Sequence, residues 1–217
     1  MLQYKEFKKN FEKIVLKLKR NIEEIELVAV SKRKSESSIL SVIQFGHSSF
    51  GENQLQEIEK KWPIIKKQFQ NIRLHFVGAM QSKKIVNILN QCDVIHSIDR
   101  EKVIKIIAQL DRKKLLKKQF FIQVNTGNEL QKSGVKLEDA ERLIEVSRNN
   151  YNLPVDGLMC IPPENENPES HFQILQGLAI NNNIKYLSMG MSNDYESALK
   201  YGATHIRIGT AIFGSRN

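Results

Sequence analysis

KYLSMGMSNDYESALKYGATHIRIGTAIFG, residues 185–214, contains two apolar runs, KYLSMG (Lys185 to Gly190) and THIRIG (Thr204 to Gly209). Each leads into a segment that reads as helical, Asp194 to Tyr201 after the first and a last turn from Thr210 to Gly214 after the second. Short apolar runs bounded by turn residues and alternating with helical patterns mark parallel strands joined by crossover helices. The same unit recurs upstream. ELVAVS (Glu26 to Ser31) precedes a helix carrying Ile39, Leu40 and Ile43 and closed by Gly46, and SFGEN (Ser49 to Asn53) precedes one near Leu55 to Phe69. RLHFVG (Arg73 to Gly78) leads to Ser82–Leu89, DVIHSI (Asp93 to Ile98) to Glu101–Leu116, and QFFIQVN (Gln119 to Asn125) to Leu137–Asn149. PVDGLMC (Pro154 to Cys160) leads through a Pro-rich loop to Glu169–Ile180.

Eight strand–helix units close most naturally into a parallel (β/α)8 TIM-type barrel, an α/β fold, although a doubly wound open sheet also accepts the alternation. The repeat count, the lack of GxGxxG after the first strand, and a leading helix able to plug one end favour the barrel. That helix, within residues 1–21, places Phe7, Phe11, Ile14, Val15 and Leu18 at helical spacing. A basic amphipathic helix can also lie on a membrane or meet RNA; docking on its own domain is the simpler reading. No composition break divides the chain, so residues 1–217 are expected to form one domain, with 26–217 as the barrel.

The 217 residues are 41% apolar and 26% charged, which excludes disordered and collagen-like classes. Lys plus Arg number 33 against 24 Asp plus Glu, a net charge of +9. This balance and the cluster Lys113, Lys114, Lys117 and Lys118 raise nucleic-acid binding, but basic residues are spread through most helices and interleaved with acids, as on an ordinary solvated surface. Cys92 and Cys160 have no CxxC partner and are expected to be reduced and buried. No run of 18 apolar residues and no signal-peptide h-region occur, so the chain is read as cytoplasmic. Asp93, His96 and Asp99 lie near one strand, but strand alternation separates neighbours onto opposite faces, and no metal is expected.

Barrel enzymes carry their reactive groups at the C-terminal ends of the strands. Strand one ends Ser31-Lys32. A lysine in a barrel mouth loses solvation, which favours the neutral amine and suits it to Schiff-base chemistry with an aldehyde; equally, Lys32 opens a basic loop through Arg33 and Lys34. After strands seven and eight, SMGMS and RIGT supply Gly190, Ser192, Gly209 and Thr210, where such barrels bind phosphate through amides and hydroxyls. Either glycine motif alone is explained by turn chemistry. Together with the lysine they describe a pocket for an aldehyde bearing a phosphate, pyridoxal 5′-phosphate (PLP).

The sequence resembles the PLP homeostasis proteins, relatives of the N-terminal barrel of alanine racemase, from end to end. The matching blocks are LVAVSK (27–32), FGENQLQE (50–57), LHFVGAMQSKK (74–84), HSID (96–99), IQVN followed by KSGV, GLMCIPP (157–163), LSMGMSND (187–194) and RIGTAIFGSR (207–216). The resemblance implies that Lys32 forms the Schiff base, that Ser192, Gly209 and Thr210 cradle the phosphate, and that Arg207 faces the pyridine nitrogen or leans toward the phosphate. It implies pocket positions for Asn53, His75 and Met189. Arg33 and Ser35 stand where the family usually has Thr and Pro, Gln54 where an aromatic is common, and Leu74 and Ala79 where Trp and Pro are common; the changes at Gln54 and Leu74 bear on the pocket rim.

An arginine beside the pyridine nitrogen disfavours its protonation and makes the ring a weaker electron sink. Racemases of this barrel type add a second base from a second domain, for which 217 residues are expected to leave no room. The expectation is therefore a monomeric PLP carrier that buffers the cofactor or delivers it to apo-enzymes, with amino acids as further possible ligands. A racemase-like enzyme is the alternative.

Overall fold

The computed structural model describes residues 2–214. Ser215 and Arg216, which end the RIGTAIFGSR block, lie outside the described residues. Among the described residues the strands are β1 (Glu26–Val30), β2 (Ser49–Glu52), β3 (Arg73–Phe76), β4 (Val94–Ile98), β5 (Gln119–Asn125), β6 (Val135–Lys136), β7 (Gly157–Met159), β8 (Tyr186–Ser188) and β9 (His205–Ile208). They run in the order β4-β3-β2-β1-β9-β8-β7-β5, and β4 pairs with β5 to close the ring. Every pairing is parallel. The eight expected strands are thus the barrel staves. β6 is an addition: two residues in the loop after β5 pair with Val124 and Asn125, a run too short to carry a sequence signal.

Strand alternation divides the side chains into two layers. Phe120, Ile122 and Val124 of β5 join the large apolar layer between barrel and helices, whereas Phe121 packs inside the barrel with Val94 and Met159. The interior is otherwise unusually polar, with Glu26, His75, His96, Ser188, His205 and Arg207 joined by hydrogen bonds or ion pairs. Gly157 is required by this filling, because a Cβ there would lie 2.2 Å from the Phe121 ring.

The helices are α1 (Leu2–Lys17), α2 (Glu36–Ile43), α3 (Leu55–Gln68), α4 (Ile85–Gln91), α5 (Glu101–Ala108), α6 (Arg112–Leu115), α7 (Leu137–Glu145), α8 (Pro168–Asn181), α9 (Tyr195–Lys200) and α10 (Thr210–Phe213). The expected single helix over 101–116 is broken. Asp111 accepts from the Lys113 N–H at 2.9 Å and caps a new short helix, satisfying an end donor that a continuous helix would not present. The expected helix over 137–149 is present, α-helical to Glu145 and finishing as one π-helical turn over Val146–Asn150.

α1 does not plug the barrel. It runs along the outer wall, from Gln3 beside Gly214 to the following Arg20, which donates to the carbonyls of Leu199 and Ala203. Its buried stripe is Tyr4, Phe7, Phe11 and Val15, with Phe7 edge-on to Tyr195 and Tyr4 against Phe45 and His47. α10 is a single turn and cannot cover β9 and β1 alone, so α1 supplies the missing apolar cover.

Candidate functional site

The C-terminal ends of β1, β9 and β8 lie side by side, because β1 pairs with β9 and β9 with β8. After β1 the chain makes a turn at Ser31–Lys34, closed by a 3.0 Å bond from the Lys34 N–H to the Ser31 carbonyl. Lys32 is its half-buried second residue, and Arg33 takes the left-handed φ of +59°. On the neighbouring strands, the Ser192 hydroxyl lies 3.4 Å from the Ala211 N–H and 3.5 Å from the Thr210 hydroxyl. Gly190 turns the chain toward this cluster: its φ is +93°, and a Cβ there would sit 2.6 Å from Ala198 Cβ. Gly209, by contrast, has room, since a Cβ would meet nothing closer than the Val30 carbonyl at 3.5 Å.

Asn53 follows β2 at the same end. Its Oδ1 is buried and has no hydrogen-bond partner among the described residues. Gly78 packs directly on its backbone, where a Cβ would fall 2.0 Å from the Asn53 carbonyl oxygen.

Arg207 is buried inside the barrel, one layer below the mouth. It donates to Ser188 Oγ at 2.6 Å and to the Cys160 carbonyl at 2.8 Å. Behind it a chain of bonds crosses the barrel: Ser188 Oγ to His96 Nδ1 at 2.8 Å, His96 Nε2 to His75 Nδ1 at 2.9 Å, and His75 Nε2 to Glu26 Oε1 at 3.1 Å. Arginine only donates and carboxylate only accepts, so with neutral imidazoles every proton in the chain points from Arg207 toward Glu26. Burial holds His75 below the ordinary histidine range and His96 well below it, with neighbouring positive charges adding to the effect. Burial alone would raise Glu26, but the close contacts of His205 and His75 with its carboxyl outweigh it and hold the group far below its usual range. Arg73 adds a 2.8 Å ion pair to Glu26.

Lys32, Asn53, Ser192, Gly209 and Thr210 therefore share one face, with Arg207 beneath them. His75 does not reach that face; it is fully buried toward the opposite end, two bonds behind Ser188. The Met189 side chain joins the apolar layer between barrel and helices, because Ser188 takes the inward position of β8. Leu74 is in that same layer and not at a rim. Ser35 caps α2 by accepting from the Ser38 N–H at 3.2 Å. Asp93 is taken by Lys66 and the Leu74 N–H, and Asp99 by Arg100; among the described residues no group of three metal-ligating side chains forms. Cys92 and Cys160 are free and buried, and burial pushes both thiols up to about 12. In the lysine cluster, Lys118 donates to the Cys92 carbonyl at 2.7 Å.

Glu26 and Ser188 are components that sequence reading passed over, and His96 was weighed there only as a metal ligand. Their signal was the period-2 alternation, which turns Glu26 and Ser188 inward.

The donor set fits a phosphorylated aldehyde: an amine at Lys32, hydroxyl and amide donors at Ser192, Thr210 and Ala211, a buried cation at Arg207, and the open acceptor of Asn53. The family described as alanine racemase, N-terminal domain, matches residues 3–217. The pyridoxal phosphate homeostasis protein of Haemophilus influenzae is 36% identical over 208 residues, covering 91% of this chain and 88% of that protein. Its counterpart in Vibrio alginolyticus is 38% identical over 208 residues, covering 91% and 89%. Among solved structures, PipY of Synechococcus elongatus PCC7942 without PLP superposes with a TM-score of 0.82 at 26% identity, covering 93% of this chain and 99% of that one. PipY with PLP bound gives 0.77 at 24% identity over the same shares.

Proposed function

The chain belongs to the alanine racemase N-terminal domain family and, within it, to the pyridoxal phosphate homeostasis proteins, and on that premise we propose that it binds PLP at the barrel mouth through Lys32 and buffers or delivers the cofactor inside the cell. The observation that carries this reading is the juxtaposition, on adjacent parallel strands, of half-buried Lys32 with the hydroxyl and amide donors after β8 and β9. When bound, PLP supplies an aldehyde whose oxygen leaves as water when an amine condenses with it.

Ser192 and Thr210 through their hydroxyls, and Ala211 through its amide, would hold the phosphate, with Gly209 leaving room for the backbone to approach it. Arg207 has two of its N–H groups committed to Ser188 and the Cys160 carbonyl, which fixes the plane of the guanidinium. Were Arg207 to face the pyridine nitrogen, its cation would disfavour a proton there, and the bound cofactor would be a weaker electron sink, suited to being held rather than to carbanion chemistry. Asn53 and the residues around it border the mouth. The whole chain acts as one cofactor-binding unit, a monomer of the cytoplasm whose partners are PLP, amino acids and the apo-enzymes that receive it. Among the described residues no helix is long and apolar enough to cross a membrane.

The deciding experiment is Lys32→Ala. It removes both the visible absorbance of lysine-bound PLP and the borohydride-trapped adduct, with the circular dichroism spectrum unchanged. An adduct that survives at another lysine overturns the assignment, and alanine racemisation at enzyme-like turnover by the pure protein overturns the carrier role.

A further inference from the structure

Directly behind the Lys32 turn lies a buried charged cluster that cofactor binding does not use. Lys61 of α3 is 5% exposed and Glu52 of β2 fully buried. The Lys61 ammonium lies 2.6 Å from Glu52 Oε1, 2.8 Å from Glu57 Oε2 and 3.1 Å from the Ser31 carbonyl, so its three N–H donors have three acceptors. Both carboxylates also hold the turn itself. The Ser31 hydroxyl donates to Glu52 Oε1 at 2.7 Å, and the Arg33 N–H donates to Glu57 Oε2 at 2.6 Å. The residues on either side of Lys32 are thus gripped by one ion cluster, and Arg33 is kept in a left-handed conformation that L-residues rarely adopt. The Trp62 indole N–H, 3.1 Å from Glu52 Oε1, ties the cluster to the core.

A buried ion pair contributes little to stability compared with an apolar pair of the same volume, and its attested use is to specify one geometry. We propose that Lys61, Glu52 and Glu57 form a positioning clamp that presents the Lys32 amine for covalent capture of PLP. The clamp rests on the assignment of Lys32 as the PLP lysine. It acts on the backbone that carries Lys32, so it governs the condensation and leaves the phosphate cradle after β8 and β9 untouched.

Glu57→Ala is the deciding variant, because Glu57 is partly exposed and its loss strands no buried charge of its own. Two phosphates are compared: PLP, followed by borohydride trapping, and pyridoxine 5′-phosphate, whose alcohol cannot condense with an amine. Glu57→Ala is expected to weaken covalent capture of PLP roughly tenfold, change pyridoxine 5′-phosphate affinity less than about twofold, and speed hydrogen exchange of the amides at Lys32–Lys34. Glu57→Gln, which keeps an acceptor for the Arg33 N–H, restores most of the capture. Lys61→Met strands Glu52 as well and is expected to lower both capture and thermal stability. Equal weakening of both ligands, or unchanged capture in Glu57→Ala, overturns the clamp alone. Absence of any trapped adduct in the unsubstituted protein overturns the clamp and the PLP assignment together.

Discussion

The two ends of this barrel are built on opposite principles. At the N-terminal end, Glu26, Arg73, Gln119, Tyr186 and His205 border a cavity of about 740 Å³, where Arg73 bonds to Glu26 and Gln119 at 2.5–2.8 Å and His205 lies 3.2 Å from Glu26. At the C-terminal end, Ser192, Thr210 and Ala211 touch at 3.4–3.5 Å, and Asn53 Oδ1 is buried with no partner among the described residues. Volume alone would choose the end opposite the proposed site. Donors held close together in loose contact are better placed to exchange partners for a ligand than donors locked into short bonds, because less is lost when they turn to it.

The comparison breaks most clearly if substitutions at the two ends have the same effect. The largest expected effect belongs to the interior chain. His96→Leu leaves the Ser188 O–H without its acceptor, although Arg207 still donates to Ser188 Oγ, and leaves His75 Nδ1 without its donor, at about 1–3 kcal/mol per stranded buried group. A total loss of about 2–4 kcal/mol should appear in urea denaturation; a loss below about 1 kcal/mol would mean that the chain contributes little to folding.

Acid titration is expected to act through the same groups. His75 and His96 titrate below their unfolded value of about 6.5, so both are neutral in both states at pH 8. As pH falls through 6.5, the unfolded chain gains protons that the folded chain refuses. Stability present above that pH is therefore lost at up to about 1.4 kcal/mol per pH unit for each histidine. Below pH 4 the depressed Glu26 adds in the same direction. Chemical denaturation across pH 8 to 5 checks the sign, and His96→Leu should flatten the slope by one histidine's share.

The smallest effect on folding lies at the mouth. Ser192→Ala is expected to weaken PLP binding about tenfold, near 1.4 kcal/mol, through loss of one charge-assisted hydrogen bond. Folding stability should stay within about 0.5 kcal/mol. Absorbance titration and thermal melts on the same samples separate the two quantities.

Much of the mouth was legible because it depends on local order. Lys32, Ser192, Gly209 and Thr210 each lie within four residues of a strand's C-terminal end, and in a parallel barrel every such end comes to the same face. His75 and Met189 were less legible, because the side a residue faces depends on register: β8 turns Ser188 inward and so sends Met189 outward. Leu74 also belongs to that outer layer, so a residue that sequence comparison associates with the rim is a packing residue here. In sequence Lys61 is one of four lysines in α3. Nothing local distinguishes it from Lys60, yet it is buried beneath the Lys32 turn while Lys60 is exposed.

The sequence by itself determined the eightfold alternation and the residues at the strand ends, since these follow from the periodicity of apolar residues and the position of turn residues along the chain; it favoured a closed barrel over an open sheet, and the β4–β5 pairing decided between them. The break in the helix over 101–116, the placement of α1 along the wall, the hydrogen-bond chain from Arg207 to Glu26 and the clamp on Lys32 were decided by tertiary structure. Each joins groups far apart in sequence, 179 residues between Arg20 and Leu199 and 92 between His96 and Ser188, or turns on a local competition for hydrogen bonds such as that at Asp111. Bonds of this kind depend on strand register and burial, which a pattern of residue types does not encode.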